Sequence, residues 1–354
     1  MNKLDEKEWK AFALEDIFSI DAGRRLTNAD KIEGDTPFIG ATDNNNGVTG
    51  FVSNENSSLD KNVLGVNYNG APCIAFYHPY ECIFTDDVKR LHLLQHADDE
   101  SVLLFFKTVV MQQCRKYSYG YKFKEKRMLR QKLMLPVTDS GEPDYEYMAE
   151  YTRQKRKEML AKYRVYVEKR IAELGDLVKI PALNEKEWKE FRIGELFKVS
   201  RPKARNKDDY EMGDIPFVAS GSINNGVMKL CEPLEDEQLD DGCCITVSPV
   251  DGSTFFQPMN FLGRGGAGSS ILILHCEGLN LYRGQFMARA IQQTCSKYTY
   301  GHMGNKDSIK RERIMLPVAD SGEPDYEYME QYSKNMMLRK YRQYLTFLQQ
   351  RSDA

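Results

Sequence analysis

A chain of 354 residues has room for two domains of ordinary size, each with its own core. Hydrophobic residues at 41% and charged ones at 29% describe a globular protein, and no run nears the roughly 18 apolar residues of a membrane helix. The net charge of −3 excludes a uniformly basic nucleic-acid binder, but not one whose cations cluster locally. The opening Met1-Asn2-Lys3-Leu4-Asp5-Glu6 is charged where a secretory leader turns apolar, so the expectation is a cytoplasmic protein without a membrane role. The eight cysteines form no CxxC pair and no Cys/His ligand spacing. No metal, disulfide or other cofactor is expected of them.

In chain order, Glu8-Trp9-Lys10-Ala11-Phe12 comes first, followed by a loop bearing Arg24-Arg25-Leu26-Thr27. Short β-prone runs broken by Gly, Pro and Asn come next: Pro37-Phe38-Ile39-Gly40, Gly50-Phe51-Val52, Asn62 to Val66 and Cys73 to Tyr77. Val102 to Cys114 predicts a helix. It leads into a basic stretch in which Arg115, Lys116, Lys122, Lys124, Lys126, Arg127, Arg130 and Lys132 face the single acid Glu125. Pro143-Asp144 then starts a long charged helix, with acids in its first turn where the helix dipole favours them. In that helix Leu160, Tyr163, Val167, Ile171, Leu174 and Val178 form one apolar stripe.

The chain then repeats itself. Glu187-Trp188-Lys189-Glu190-Phe191, Gly213 to Val218 and Asn224-Asn225-Gly226-Val227 return at an offset of 179 from Glu8, Gly34 and Asn45. Lys297-Tyr298-Thr299-Tyr300-Gly301 mirrors Lys116-Tyr117-Ser118-Tyr119-Gly120, and Leu316 to Met329 copies Leu135 to Met148 with Thr138 replaced by Ala319. Arg283 to Cys295 is the second predicted helix. The closing helix after Pro324-Asp325 carries the stripe Met337, Tyr341, Leu345 and Leu348, and is about one turn shorter than the first. So long a period means a duplicated domain. Ends and joints match almost letter for letter, whereas the middles (Gly65 to Arg90 and Cys244 to Ser270) diverge. Joints that serve one partner twice would stay alike, and surfaces that read different targets would differ.

The expected fold is mixed α/β. Residues 1–143 form a first recognition domain with a curved, irregular sheet, 144–183 a helix and linker, 184–324 a second domain and 325–354 the second helix. Each stripe is narrow and needs cover. The two helices are therefore expected to pair antiparallel between the globules, the alternative being that each lies on its own domain.

A Trp near the domain start, then Pro-Phe-Ile/Val, then Asn-Asn-Gly-Val, then a charged terminal helix, all twice, resembles the specificity subunits of type I restriction-modification enzymes. It is also similar to the compact specificity subunits that serve type IIB enzymes. The resemblance implies that each domain reads one half of a split double-stranded DNA target. It implies too that the helices set the gap and dock two methyltransferase subunits, either separate or fused to a nuclease. The shortness of the helices favours the compact kind.

Candidate contacts follow from residue chemistry. Arg24, Arg25 and Thr27, with Arg201, Lys203 and Arg205 in the matching loop, suit phosphates. Asp43, Asn44 and Asn45, with Ser220, Ser222 and Asn224, sit in polar loops, where Asn can read adenine or simply make a turn. Since Asn-Asn-Gly is identical in both halves, it cannot explain two readings; Asp43, Asn44, Ser220 and Ser222 are the expected readers. The divergent middles offer Asn67, Tyr68, Asn69, His78 and Tyr80, then Ser248, Asp251, Ser253, Thr254, Gln257, Arg264 and the run Gly265-Gly266-Ala267-Gly268. Lys116, Tyr117 and Tyr119, with Lys297, Tyr298 and Tyr300, suit either backbone contact or aromatic packing.

No catalytic motif emerges. A Gly-rich cofactor loop, an Asn/Asp-Pro-Pro-Tyr/Phe and a Pro-Asp upstream of Glu-x-Lys are all missing, and the five histidines form no ligand cluster. The expectation is a non-catalytic subunit. The competing readings are a self-contained metal-dependent nuclease and a duplicated protein-binding adaptor.

Overall fold

The repeat in the sequence is a repeat of topology. The computed structural model describes residues 6–117, 120–266 and 270–352 and divides the chain into two compact units, 1–164 and 165–354. Unit 1 contains β1 (Trp9–Ala13), α1 (Leu14–Ile17), β2 (Phe18–Ala22), β3 (Glu33–Ile39), β4 (Val48–Val52), β5 (Val63–Asn67), β6 (Ala75–His78), β7 (Ile83–Phe84) and β8 (Val88–Leu93). After these come α2 (Glu100–Met111), α3 (Glu125–Leu129), β9 (Lys132–Pro136) and the first two-thirds of α4 (Tyr145–Leu174). Unit 2 contains the end of α4, β10 (Trp188–Arg192), α5 (Ile193–Leu196), β11 (Lys198–Ser200), β12 (Met212–Val218), β13 (Val227–Cys231) and β14 (Cys244–Val247). It continues with β15 (Thr254–Gln257), β16 (Leu262–Gly263), β17 (Leu272–His275), α6 (Leu281–Cys295), α7 (Lys306–Arg311), β18 (Arg313–Pro317) and α8 (Tyr326–Ser352).

Each unit has three small sheets instead of the one irregular sheet expected. In unit 1 they are β1-β9, β4-β3-β7 and β2-β8-β5-β6; in unit 2 they are β10-β18, β13-β12-β16 and β11-β17-β14-β15, in the same order. The Trp-bearing strand is antiparallel to the strand that precedes the long helix, with Trp9 opposite Pro136 and Trp188 opposite Pro317, so each unit closes on its own joint. The helix before the basic segment covers the four-stranded sheet. Around it Phe18, Leu64, Leu91, Phe106 and Leu133 form the core of unit 1, and Ile245, Leu274, Met287, Ile291 and Ile314 that of unit 2. α2 starts at Glu100, two residues before the expected Val102, because the Asp99 side chain caps it by accepting the N–H groups of Ser101 and Val102.

The long helices begin where Pro-Asp predicted. Asp144 accepts the Tyr147 N–H at 2.9 Å and pairs with Lys7 at 2.6 Å; Asp325 repeats this with Tyr328 at 2.9 Å and Lys186 at 2.8 Å. Burial alone would raise both carboxyls, but the lysines and the helix N–H groups hold them below their ordinary value. α4 has 30 residues and α8 has 27, the one-turn difference read from the repeat. Within unit 2 the end of α4 and the segment after it run antiparallel to α8. The Tyr166 ring meets Tyr341 edge-on, Asn335 brackets the N–H and C=O of Val178, and the Tyr328 hydroxyl donates to the Pro181 carbonyl.

Of the stripe residues, Val167, Leu174 and Leu348 are buried, Leu160, Ile171, Met337, Tyr341 and Leu345 are half-buried, and Tyr163 and Val178 are exposed. Leu338, fully buried, takes the place expected of Met337, one residue round the helix. Periodicity missed this because Asn335, one turn earlier on the same face, is polar yet buried.

Candidate nucleic-acid interface

Loops from separate elements gather at one rim of each unit. In unit 1 the segment after β3 meets the β5–β6 connection: the Asn67 amide donates to the Thr42 carbonyl at 2.9 Å, and the Ala71 N–H reaches Ala41. Asn69 donates to Asp87 at 2.9 Å, and the Arg24 N–H bonds to the Phe84 carbonyl at 2.8 Å, adding the β7–β8 corner and the loop after β2. The Cys114 thiol on the Cys73 carbonyl brings the end of α2, and with it Arg115 and Lys116, to the same place. In unit 2 the Arg264 N–H bonds to Val218, Gly304 to Pro249, and Ala204 bridges Gly265. The loops after β11, β12 and β16 are thus gathered together, and those after β14 and α6 meet each other.

The Asn-Asn-Gly loop is a turn in both units. Asn45, Asn46 and Gly47 have φ of 49°, 52° and 79°, and Asn224, Asn225 and Gly226 have 49°, 56° and 74°. Three successive left-handed residues suit Asn and Gly and little else. The Asn45 amide bonds to the Val48 carbonyl and Asn224 to that of Val227, so both side chains close their own turns.

Several sequence candidates are corrected by burial. The Arg205 side chain is only 2% exposed. It pairs with Glu237 at 2.7 Å and Asp240 at 2.6 Å and also donates to the carbonyls of Gly263 and Gln238. Its charge is spent inside unit 2, unlike that of exposed Arg201 and Lys203. His78 is fully buried against Phe84, and burial pushes its imidazole down to about 4, so the ring is neutral and sealed from DNA. Asn67, Ser248, Ser253, Thr254 and Gln257 are likewise buried.

Tyr117 and Tyr298 are packing residues. Their hydroxyls donate to Gln131 and Glu312, at 2.6 and 2.5 Å, and burial first of all pushes each up to about 12. Tyr68 is half-buried against the core with Lys89 over its ring, and Asn69 is held by Asp87.

What remains exposed is Arg24, Arg25, Thr27, Asp43, Asn44, Asn45, Tyr80 and Lys116 in unit 1, and Arg201, Lys203, Ser222, Asn224, Asp251, Arg264 and Lys297 in unit 2, with Ser220 half-buried. Tyr300 is 84% exposed at the two-residue tip of a hairpin closed by Thr299 and His302. Tyr119 and the run's Ala267 and Gly268 lie outside the described residues. Sequence reasoning passed over Tyr121, which is exposed beneath the Arg127 guanidinium at 3.9 Å. An aromatic inside a basic run was the available signal. Among the described residues no group of His, Cys, Asp or Glu could hold a metal ion, and no helix is long and apolar enough to cross a membrane.

Two tandem units of one mixed α/β topology, each with a loop-built polar rim, define a duplicated recognition protein. The family model described as the type I restriction modification DNA specificity domain matches twice, over residues 6–161 and 185–344, and the chain belongs to that family. By that description each matched segment is a DNA specificity domain of restriction-modification systems. The type II restriction enzyme BgcI specificity subunit S.BcgI of Heyndrickxia coagulans is 52% identical over 151 residues; the match spans 43% of this chain and 44% of that one. A crystal structure of a type I restriction-modification S subunit from M. genitalium aligns over 100% of this chain and 96% of its own, with TM-score 0.44 and 14% identity. The HsdS subunit from Thermoanaerobacter tengcongensis aligns over 98% and 92%, with TM-score 0.31 and 13% identity.

Proposed function

We propose that the two units each read one half of a bipartite double-stranded DNA target in the cytoplasm, and that the long helices, with the repeated joints they grow from, dock two copies of a methyltransferase subunit, separate or fused to a nuclease. The observation that carries this reading is the contrast between joints and rims. Trp9 stacks on Phe105, whose edge meets Tyr151; Trp188, Phe286 and Tyr332 repeat the arrangement, beside exposed Met134 and Met315. The rims share their loop framework but present different side chains. Identical joints suit one partner bound twice, and different rims suit two half-sites. At 1.5 Å per residue the 30-residue α4 is about 45 Å long, which suits a spacer between half-sites.

The test is to select duplexes bound by the full chain from a random library at low salt, then repeat with a chimera carrying a relative's first domain, joined at Pro143. The expected outcome is salt-sensitive binding, losing about one unit of log–log slope per phosphate contact. A two-part motif should emerge in which only one half changes in the chimera. Salt-insensitive or absent binding would favour the adaptor reading, and cleavage by the isolated chain with magnesium the nuclease reading. A change in both halves would mean the units do not read independently.

A further inference from the structure

Unit 1 carries a cysteine pair that unit 2 lacks. Cys73 lies in the β5–β6 connection with φ of 70°, a left-handed conformation that side chains other than Gly, Asn and Asp rarely adopt. Its counterpart is Gly252, with φ of 72°. Each stands two residues before the next strand, and each N–H returns to the residue just after the same buried valine, Asn67 in one unit and Ser248 in the other. A Cβ on Gly252 would collide with the carbonyl of Cys295 at the end of α6.

Unit 1 accepts the side chain because its helix stops sooner. α2 ends at Met111 and unwinds into a 3-10 turn at Cys114–Lys116, whereas α6 runs on to Cys295, the residue matching Cys114. Two local costs, a strained cysteine and a shortened helix, thus place one thiol against another. Cys73 Sγ donates to the Val110 carbonyl at 3.2 Å, and Cys114 Sγ to the Cys73 carbonyl at 3.1 Å. Cys73 is fully buried, Cys114 half-exposed beside Arg115 and Lys116. Backbone strain that a neighbouring sequence avoids with glycine points to a use for the side chain.

We propose that Cys73 and Cys114 are a peroxide-sensitive dithiol, closing to an intrachain disulfide that pins the β5–β6 connection to the end of α2. Cys114, half-exposed beside Arg115 and Lys116 while Cys73 is fully buried, is the sulfur that peroxide reaches first. The Cys114 thiolate attacks one oxygen of hydrogen peroxide. The O–O bond breaks, the leaving oxygen departs as water with the thiol's proton, and a sulfenic acid forms. The Cys73 sulfur then attacks the Cys114 sulfur, the S–O bond breaks and a second water carries off the Cys73 proton. Two thiols and one peroxide give one disulfide and two waters, and a dithiol reductant reverses the step.

The full chain is to be treated with hydrogen peroxide, its remaining thiols alkylated after unfolding, and its tryptic peptides weighed. Peptide 62–89, which holds Cys73 and Cys82, should appear joined to peptide 108–115, two hydrogens lighter than their sum, with fragmentation placing the bond on Cys73. Dithiothreitol should restore both peptides, and Cys295 should stay alkylatable. In Cys73→Gly, which copies unit 2, the link should vanish and Cys114 should instead be trapped as a sulfenic acid by dimedone. If Cys114 remains fully alkylatable at peroxide doses that oxidise the exposed Cys243, or passes to sulfinic acid while Cys73 stays free, the proposal is overturned.

Discussion

At one matching point the two units fill the same buried space with different chemistry. His78 on β6 stands opposite Val63, as Gln257 on β15 stands opposite Cys244, and both polar side chains are buried. Gln257 is fully engaged. Its amide donates to the Asn225 carbonyl at 3.0 Å and to Thr246 Oγ1 at 2.9 Å, and its carbonyl accepts from the Asn225 amide at 3.0 Å. His78 finds no hydrogen-bond partner among the described residues. Where unit 2 has Thr246, unit 1 has Gly65, and a Cβ there would come within 2.9 Å of His78 Nε2. Divergence between the middles is therefore partly a repacking of the interior. Sequence difference alone does not mark a surface that reads DNA.

The largest test of that contrast lies in the ion pairs beside it. Asp60 and Asp240 occupy matching bridges, but Asp60 is met by Arg90 at 2.9 Å and His92 at 3.0 Å, whereas Asp240 shares Arg205 with Glu237. Arg205→Met strands two carboxylates against a buried wall and should cost unit 2 about 3–5 kcal/mol. Trp188, the single Trp of unit 2, reports its unfolding in a Trp9→Phe background. The same substitution should leave the affinity of the folded protein for DNA nearly unchanged. A strong loss of affinity without a loss of stability would return Arg205 to the interface.

A smaller effect should separate the units by pH. The buried His78 has its pKa lowered to about 4, chiefly by burial and then by Lys107, from about 6.5 when unfolded. A depressed folded pKa means that its contribution is complete above pH about 6.5 and drains away as the pH falls towards about 4. Unit 1, followed through Trp9 in a Trp188→Phe background, should lose up to about 3 kcal/mol more over that window than the His78→Gln variant does. Parallel pH profiles for the two proteins would mean that the ring is not held neutral. His92 works in the opposite sense: burial would lower its pKa, but the hydrogen bonds it donates to Asp60 and Asp98 outweigh this and raise it. Its contribution is present below about 6.5 and lost as the pH rises through the folded value.

Much of the architecture was legible because it was written twice. The repeat predicted one topology for both halves, Pro-Asp located both long helices, and the offset of 178 between Lys162-Tyr163-Arg164 and Lys340-Tyr341-Arg342, against about 180 elsewhere, gave their one-turn difference in length. The rim was legible only as a composition. Arg201 and Arg205 are four residues apart in one cationic loop, yet one is exposed and the other buried by Glu237 and Asp240, more than 30 residues away. Nothing local distinguishes them. The same holds for Tyr298 and Tyr300, where Glu312 decides which ring is buried. Side chains whose fate depends on a distant carboxylate cannot be sorted by neighbours in sequence.

The smallest expected difference concerns the shared turn. Asn46 donates to the Tyr77 carbonyl at 3.3 Å and to the Tyr80 hydroxyl at 3.0 Å; Asn225 donates to the Phe256 carbonyl at 3.1 Å and to Gln257. Replacing either with Gly keeps the left-handed backbone accessible, so the two variants differ mainly in what they leave behind. In unit 1 the exposed Tyr80 hydroxyl turns to water, and the loss should be near the 1 kcal/mol of one net hydrogen bond. In unit 2 the Gln257 carbonyl is left buried without its donor, so Asn225→Gly should cost about 2 kcal/mol. Because both side chains serve the turn, neither substitution should alter which bases are selected from a random library. Equal losses of stability would show that the Gln257 network adds nothing to the turn. A changed base at one half-site would make the Asn a reader after all.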